Sequence, residues 1–176
     1  TRLKTAGTLT VGRHRHEVKG LSWMDHEFSS APLEPNLTGW DWFSIQLSDQ
    51  TEIMIYLLRT RNGQISPASS GTYVHASGSY RHLSQNDFNI TILKYWRSSK
   101  SKASYPAGWD IRIRPLGIVL EIHPNLADQE MITTTSTGVT YWEGSVKIGG
   151  AVGGKPVKGQ GYVELTGYDQ PFNAPM

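Results

Sequence analysis

The stretch Gly39-Trp40-Asp41-Trp42-Phe43-Ser44-Ile45-Gln46-Leu47 decides the fold, because its side chains alternate in character with a period of two. In an extended strand, successive side chains point to opposite faces. One face then carries Trp40, Trp42, Ser44 and Gln46, and the other carries Asp41, Phe43, Ile45 and Leu47. The pattern predicts a β-strand that packs on a core through one of these two faces.

Similar short segments, separated by turn residues such as Arg61-Asn62-Gly63, recur along the whole chain. No long amphipathic helix is predicted, and only residues 126–131 are expected to form one helical turn. Ten strands joined by short turns favour an antiparallel meander, and closure into a barrel would remove its exposed edges. We therefore predict an all-β, antiparallel, lipocalin-like β-barrel of about ten strands. The predicted strands are residues 8–11, 14–19, 42–47, 52–59, 71–75, 87–96, 109–114, 118–123, 140–148 and 161–166.

The segment Ile53–Leu58 is apolar on both faces. Ile53, Ile55 and Leu57 share one face, and Met54, Tyr56 and Leu58 share the other. A strand in an isolated barrel normally has one polar face, so something is expected to cover the outer side here. A terminal segment, a second domain and another subunit all remain open as that cover.

The composition limits the class of protein. The 176 residues fit a single barrel domain over residues 1–176, and the net charge is only +2 with scattered basic residues. We therefore predict no nucleic-acid partner. Cysteine is absent, which excludes disulfides and thiol chemistry, and no apolar run reaches the ~18 residues of a membrane helix.

Acidic residues lie beside aromatic residues at three places in the chain. The clusters are Trp23-Met24-Asp25-His26-Glu27-Phe28, Gly39-Trp40-Asp41-Trp42 and Tyr141-Trp142-Glu143-Gly144. An acid packed against an indole ring is desolvated, which raises its pKa and keeps a proton available near neutral pH. The clusters are therefore candidates for a catalytic pocket, or for a structural network that fixes the barrel.

These motifs resemble the AttH/CrtC family. The resemblance extends to Gly7-Thr8-Leu9-Thr10-Val11 and to Gly161-Tyr162-Val163-Glu164-Leu165-Thr166-Gly167-Tyr168, so it spans nearly the whole chain in the family's order. The family includes carotenoid 1,2-hydratases and exported proteins called predicted secreted hydrolases. The resemblance implies two tandem lipocalin-like barrels, of which this chain is similar to the C-terminal one.

The resemblance also implies partners and a location. An N-terminal sister barrel or another subunit is expected to pack against this domain, and a membrane-associated transport complex is a further expected partner. The protein is expected to be secreted, periplasmic or associated with the cell envelope. No motif supports the hydrolase label, because a G-x-S-x-G elbow and a cysteine nucleophile are both absent.

Water addition to an isoprenoid double bond needs a shielded acid, aromatic faces to stabilise a carbocation, and a group that holds water. The candidate catalytic residues are Asp25, His26 and Asp41. Aromatic and polar residues of the clusters and their neighbouring strands are candidates for ligand binding. They are Trp23, Glu27, Trp40, Trp42, Gln46, Tyr56, Tyr141, Glu143, Tyr162 and Glu164.

Each candidate also has a structural interpretation. The tryptophans are equally typical of a barrel core, the aspartates of backbone or indole hydrogen bonding, and Glu143 and Glu164 of cross-strand pairing in a hairpin. His14 and His16 share a strand face, but no third metal ligand is evident nearby, so neither metal nor cofactor is predicted.

Three functions follow from these motifs and from the resemblance. The first is binding of an apolar or amphipathic small molecule, the second is hydratase-type acid catalysis, and the third is docking of a partner barrel. A cavity lined by tryptophan and tyrosine with a buried acid would favour binding or catalysis, and a filled interior would count against both.

Overall fold

The computed structural model describes residues 1–26, 33–133 and 135–172. Fourteen β-strands and two three-residue 3₁₀ helices, Gln85–Asp87 and Arg114–Leu116, form the described part of the chain. Neither helix is long enough to cross a membrane. The strands are β1 (Leu3–Val11), β2 (His14–Ser22), β3 (Leu37–Leu47), β4 (Glu52–Thr60), β5 (Ser70–Val74), β6 (Tyr80–Ser84), β7 (Phe88–Ile92), β8 (Tyr95–Arg97), β9 (Ser104–Pro106), β10 (Trp109–Ile113), β11 (Ile118–Pro124), β12 (Glu130–Ile132), β13 (Thr140–Val152) and β14 (Lys155–Thr166).

One antiparallel sheet makes up the body of the molecule. Its strands follow the order β6-β5-β4-β3-β14-β13-β11-β10-β7, and β12 pairs with the start of β13. The two end strands, β6 and β7, are consecutive in the chain and are joined by the 3₁₀ helix Gln85–Asp87, so the sheet is a nearly closed barrel. The predicted all-β antiparallel barrel of about ten strands is confirmed.

The barrel interior is filled by apolar side chains. Phe43, Trp109 and Trp142 are almost fully buried, and successive rings pack at centroid distances of 5.6 and 6.4 Å. Isoleucine, leucine and valine from β3, β4, β10, β11, β13 and β14 complete this core. A filled interior counts against a ligand site inside the barrel.

The two faces of β3 separate as predicted. Asp41, Phe43, Ile45 and Leu47 point into the barrel, where each is at most 4% exposed. Trp40, Trp42, Ser44 and Gln46 lie on the outer face. The register places Phe43 opposite Ile55 of β4 and Val163 of β14, so apolar residues of three strands meet inside.

Several details of the sequence-based assignment were wrong. Residues 126–131 form no helical turn, because Glu130–Ile132 pairs with β13 as strand β12. The predicted strand 87–96 is broken at Leu93 and Lys94 into β7 and β8, which belong to different sheets. The short strands β6, β9 and β12 were also missed, because β9 and β12 have only three residues each and Leu83 is the one buried residue of β6, so none shows a period-two pattern.

The first two strands form a separate hairpin outside the barrel. β1 and β2 pair with each other from Leu3 opposite Ser22 to Val11 opposite His14. The base of the hairpin is held by Gln46, whose Nε2 donates to the Thr1 carbonyl at 2.8 Å, and by an ion pair between Arg2 and Glu52. The hairpin is thus anchored to the outer face of β3 and β4 at one end only.

Candidate functional site

Asp41 lies inside the barrel and is held by two neighbours. Its carboxylate accepts a hydrogen bond from Arg59 Nε at 2.9 Å, and the Tyr168 hydroxyl lies 3.0 and 2.9 Å from its two oxygens. Burial raises the pKa of Asp41, while the charge of Arg59 and the hydroxyl of Tyr168 oppose that rise. This arrangement is a buried polar network at one end of the core.

The main pocket lies on the outer face of the barrel, and we call it the outer pocket. It is an open pocket of about 540 Å³ between the end of β2 and the outer faces of β3, β13 and β14. Six of the residues predicted from sequence line it: Trp23, Asp25, Trp42, Gln46, Glu143 and Tyr162. The strand register explains this grouping, because Tyr162 pairs with Ser44 of β3 and with Ser145 of β13.

Aromatic and polar groups alternate around the outer pocket. Trp23 packs edge-to-face on Trp42 at 6.1 Å between ring centroids, and its Nε1 donates to Asp25 Oδ1 at 3.1 Å. Tyr162 is 51% exposed. Carboxylate, amide and hydroxyl groups lie beside these rings, and the pocket therefore offers an apolar surface together with donors and acceptors, which suits an amphipathic molecule.

A second pocket adjoins the first on the same outer face. Its volume is about 410 Å³, and its lining includes Trp40, Tyr141, Glu164 and Phe172. Trp40 and Phe172 pack edge-to-face at 4.7 Å. Glu164 lies directly opposite Glu143 in the pairing of β13 and β14, so one carboxylate of this pair borders each pocket. We call this the adjoining pocket.

Glu164 is the acid of the adjoining pocket with a shifted pKa. Burial raises the pKa of Glu164, and the negative charges of Glu143 and Asp25 raise it further. Hydrogen bonds from Thr166 and Trp40 act in the opposite direction. A half-buried carboxyl with a raised pKa beside indole and phenol rings is suited to donate a proton.

The structure therefore does not gather all predicted catalytic residues on one side of the sheet. Asp25 lines the outer pocket, and His26 follows it on the exposed segment after β2. Asp41 points to the opposite face of β3, because odd-numbered residues of that strand face the core. Tyr56 lies on the outer face opposite Trp42 and is half-buried. Glu27 lies outside the described residues.

Sequence reasoning missed two partners of Asp41. Arg59 follows 18 residues later and Tyr168 follows 127 residues later, so no local pattern connects them. Gly167 adopts a positive φ of 81°, and a Cβ there would lie 2.1 Å from the Thr38 carbonyl oxygen. The glycine lets the chain turn back after β14 and place Tyr168 over the end of the barrel.

A second polar network was also missed. Glu130 of β12 accepts hydrogen bonds from the hydroxyls of Ser98, Ser101 and Tyr105, the last at 3.0 Å. It fastens the tip of the β8–β9 hairpin to the barrel. Within residues 1–26, 33–133 and 135–172, no three histidine or acidic side chains are grouped to hold a metal ion.

Comparisons with known proteins agree with this fold. The fold matches the crystal structure of a protein assigned to AttH from Nitrosomonas europaea with a TM-score of 0.85 and 32% identity, covering 95% of this chain and 50% of that one. The chain is also 23% identical over 150 residues to kievitone hydratase of Fusarium solani subsp. phaseoli. That match covers 85% of this chain and 41% of the hydratase, so the chain spans about half the length of these relatives or less. The AttH-like family model matches residues 1–168, and the chain belongs to the AttH-like family.

Proposed function

We propose that this chain binds an amphipathic small molecule in the outer pocket, against the outer face of β3, β13 and β14. The observation that carries the proposal is the wall formed by Trp23, Trp42 and Tyr162 beside Gln46 and Glu143. Aromatic faces contribute apolar contact area, and the few polar groups orient the ligand. The filled interior leaves the outer face as the place for this site.

A fluorescence titration tests the proposal with farnesol and oleic acid as probes, following the tryptophan emission of the protein. Tyr162→Ala removes an exposed wall of the outer pocket and is expected to weaken binding about tenfold, ~1.4 kcal/mol. Tyr80→Ala is the matched control, since Tyr80 is 77% exposed on β6 and lines none of the described pockets. Equal affinity for the two variants, or no binding of either probe, contradicts the proposal.

Native mass spectrometry on protein taken from cell extracts names the ligand class. We expect a co-purifying lipid or isoprenoid that is retained by Tyr80→Ala and lost from Tyr162→Ala. If both variants retain the same ligand equally, the ligand binds to a part of the molecule other than the outer pocket.

A second candidate function is acid-catalysed addition of water to an isoprenoid double bond. The specific observation in its favour is Glu164, whose raised pKa and aromatic neighbours Trp40 and Tyr141 suit proton transfer to carbon. The carboxyl would give its proton to one alkene carbon, an aromatic face would stabilise the resulting cation, and water would add there. The proton released by that water would restore the carboxyl. The similarity to a protein named a hydratase supports the addition of water as the reaction.

Turnover of an acyclic carotenoid tests this candidate. Glu164→Gln removes the proton donor and is expected to abolish hydration, whereas Glu121→Gln changes an exposed acid on β11 and keeps it. Asp41→Asn distinguishes Glu164 as the proton donor from Asp41, which is a candidate catalytic residue from the sequence. Loss of activity in a folded Asp41→Asn protein, with activity kept by Glu164→Gln, would return the role to Asp41.

We also propose that the domain works in an exported or envelope-associated protein, together with a companion barrel or another subunit. The resemblance of its motifs to exported proteins supports this location, and the apolar outer face of β4 at Met54, Tyr56 and Leu58 supports a partner. Subcellular fractionation of the native source tests the location, and recovery in the cytoplasmic fraction would contradict it.

A further inference from the structure

The β1–β2 hairpin extends away from the barrel and is open to solvent. Every residue of the two strands is exposed except Ser22, which is half-buried at the base. A two-stranded ribbon in water is marginally stable on its own, and a ribbon of this length normally packs against something. The anchoring contacts of Gln46 and Arg2 hold only its base.

The two faces of this hairpin differ in character. Residues paired across an antiparallel ladder share a face, so Leu3, Leu9, Val11 and Val18 all lie on one side, where His14 and His16 accompany them. The four apolar side chains are 43, 54, 60 and 38% exposed. The opposite side carries Ala6 and Leu21 together with charged and polar residues: Lys4, Thr8, Thr10, Arg15, Glu17 and Lys19. The hairpin is therefore amphipathic, with one face richer in apolar side chains and the other richer in charged ones.

Its charge is also concentrated. Residues 1–22 contain five basic residues and one acid, whereas the other 154 residues contain 12 basic and 14 acidic residues. The hairpin segment thus has a net charge of +4 (five basic residues less one acid), whereas the rest of the chain has −2 (12 less 14). A surface with an apolar face and an excess of Lys and Arg complements an anionic lipid interface, which offers acyl chains and negative headgroups together.

We propose that the apolar face of the β1–β2 hairpin inserts into the headgroup region of an anionic lipid bilayer. Leu9, Val11 and Val18 would contact the acyl boundary, and Lys4 and Lys19 would contact headgroups. The end of β2 lines the outer pocket through Leu21 and Ser22, so docking would bring that pocket close to the membrane. The inference is independent of the proposed function, although together they give an amphipathic ligand a route from the bilayer.

The size and composition of the face favour a lipid over other occupants. Nine-residue strands are about 30 Å long, so a two-stranded face covers on the order of 300 Å². A stable complex with a second copy needs about 800 Å² from each partner. A nucleic acid would use the basic residues but would leave the apolar face unpaired. A companion domain would also cover the apolar face, and vesicles bound equally well with and without anionic lipid would favour that occupant.

Flotation with vesicles tests the proposal on the 176-residue chain. We expect at least tenfold tighter binding to vesicles of 30% phosphatidylglycerol in phosphatidylcholine than to pure phosphatidylcholine, weakening as salt is raised. Leu9→Thr/Val18→Thr keeps β-propensity but removes apolar contact, and it is expected to reduce binding at least fivefold. Val119→Thr is its control, because Val119 is 40% exposed on β11 of the barrel.

Lys19→Gln tests the electrostatic contribution and is expected to weaken binding about fivefold, with Lys147→Gln on β13 as the control for an equal change in charge. Equal binding to both vesicle types, or equal effects of the hairpin and barrel variants, overturns the proposal. So does a concentration-dependent dimer in sedimentation velocity that Leu9→Thr/Val18→Thr dissociates, because the face would then belong to a second copy. Failure of vesicle binding leaves the farnesol and oleate titrations unaffected, so the two proposals fail separately.

Discussion

Tyr168→Phe is the sharpest test of the network around Asp41, because it removes one hydroxyl and keeps the ring. The Tyr168 ring lies 3.8 Å from the Arg59 guanidinium carbon, and that contact is retained in phenylalanine. The hydroxyl lies 2.9–3.0 Å from both oxygens of Asp41, which is 4% exposed, so water has little access to replace it. A hydrogen bond to a charged acceptor contributes about 1.5–3 kcal/mol.

We therefore expect Tyr168→Phe to lower the free energy of unfolding by about 2 kcal/mol. For a domain of this size, that loss corresponds to a fall in the melting temperature of roughly 4–8 °C. Urea unfolding and differential scanning calorimetry measure the two quantities, with Tyr80→Phe as an exposed control. A change below about 0.5 kcal/mol, which is typical of a surface substitution, would refute the network as a source of stability.

The stability difference between wild type and Tyr168→Phe also depends on pH. The folded-state pKa of Asp41 is raised above its unfolded value of 3.8, and the Tyr168 hydroxyl opposes that rise. A carboxyl with a raised folded pKa contributes most below its unfolded pKa, and that contribution is lost as pH rises through its folded pKa. Removing the hydroxyl raises the folded pKa further, so the difference should widen from pH 4 towards neutral pH. A difference that narrows would contradict this reasoning.

Two other substitutions test the barrel and its outer face. Gly161→Ala places a Cβ 1.9 Å from the Ser44 carbonyl oxygen and should lower the free energy of unfolding by about 2 kcal/mol or more. The control Gly7→Ala, in the open hairpin, should change it by less than about 0.5 kcal/mol. Urea unfolding distinguishes the two variants, and equal effects would contradict the close pairing of β14 with β3. Burial raises the pKa of Glu164, so the free energy of unfolding falls as pH rises from the unfolded-state pKa of this carboxyl through its folded-state pKa. Glu164→Gln should remove the part of the fall that Glu164 causes. An unchanged pH profile of unfolding in this variant would show that the carboxyl is solvated.

The barrel could be predicted from sequence because its physical basis is local. Alternation along residues 39–47 is visible in the sequence, and it placed Asp41 correctly on the face of Phe43. What the alternation does not reveal is which face points inwards, since Trp40 and Trp42 on the outer face are as aromatic as a core. That ambiguity explains why Asp41 and Asp25 were grouped in one catalytic site although the sheet separates them.

The partners of these residues depend on strand order, which local patterns do not encode. Strands β3 and β14 are more than a hundred residues apart and yet adjacent, so Tyr162 and Trp42 line one pocket only after the barrel forms. The same holds for Tyr168 and Asp41. The grouping of Trp23 with this surface required the hairpin to fold back to β3, and nothing in the sequence around Gln46 signals that contact.

The central claim is that the ligand binds on the outer face of the barrel and not inside it. Photolabelling with a diazirine-bearing fatty acid, followed by residue-level mass spectrometry, tests this claim most directly. We predict labels on Trp23, Trp42 or Tyr162, and weaker labelling in Tyr162→Ala. Labels on Trp109 or Trp142, which lie in the core, would contradict the claim.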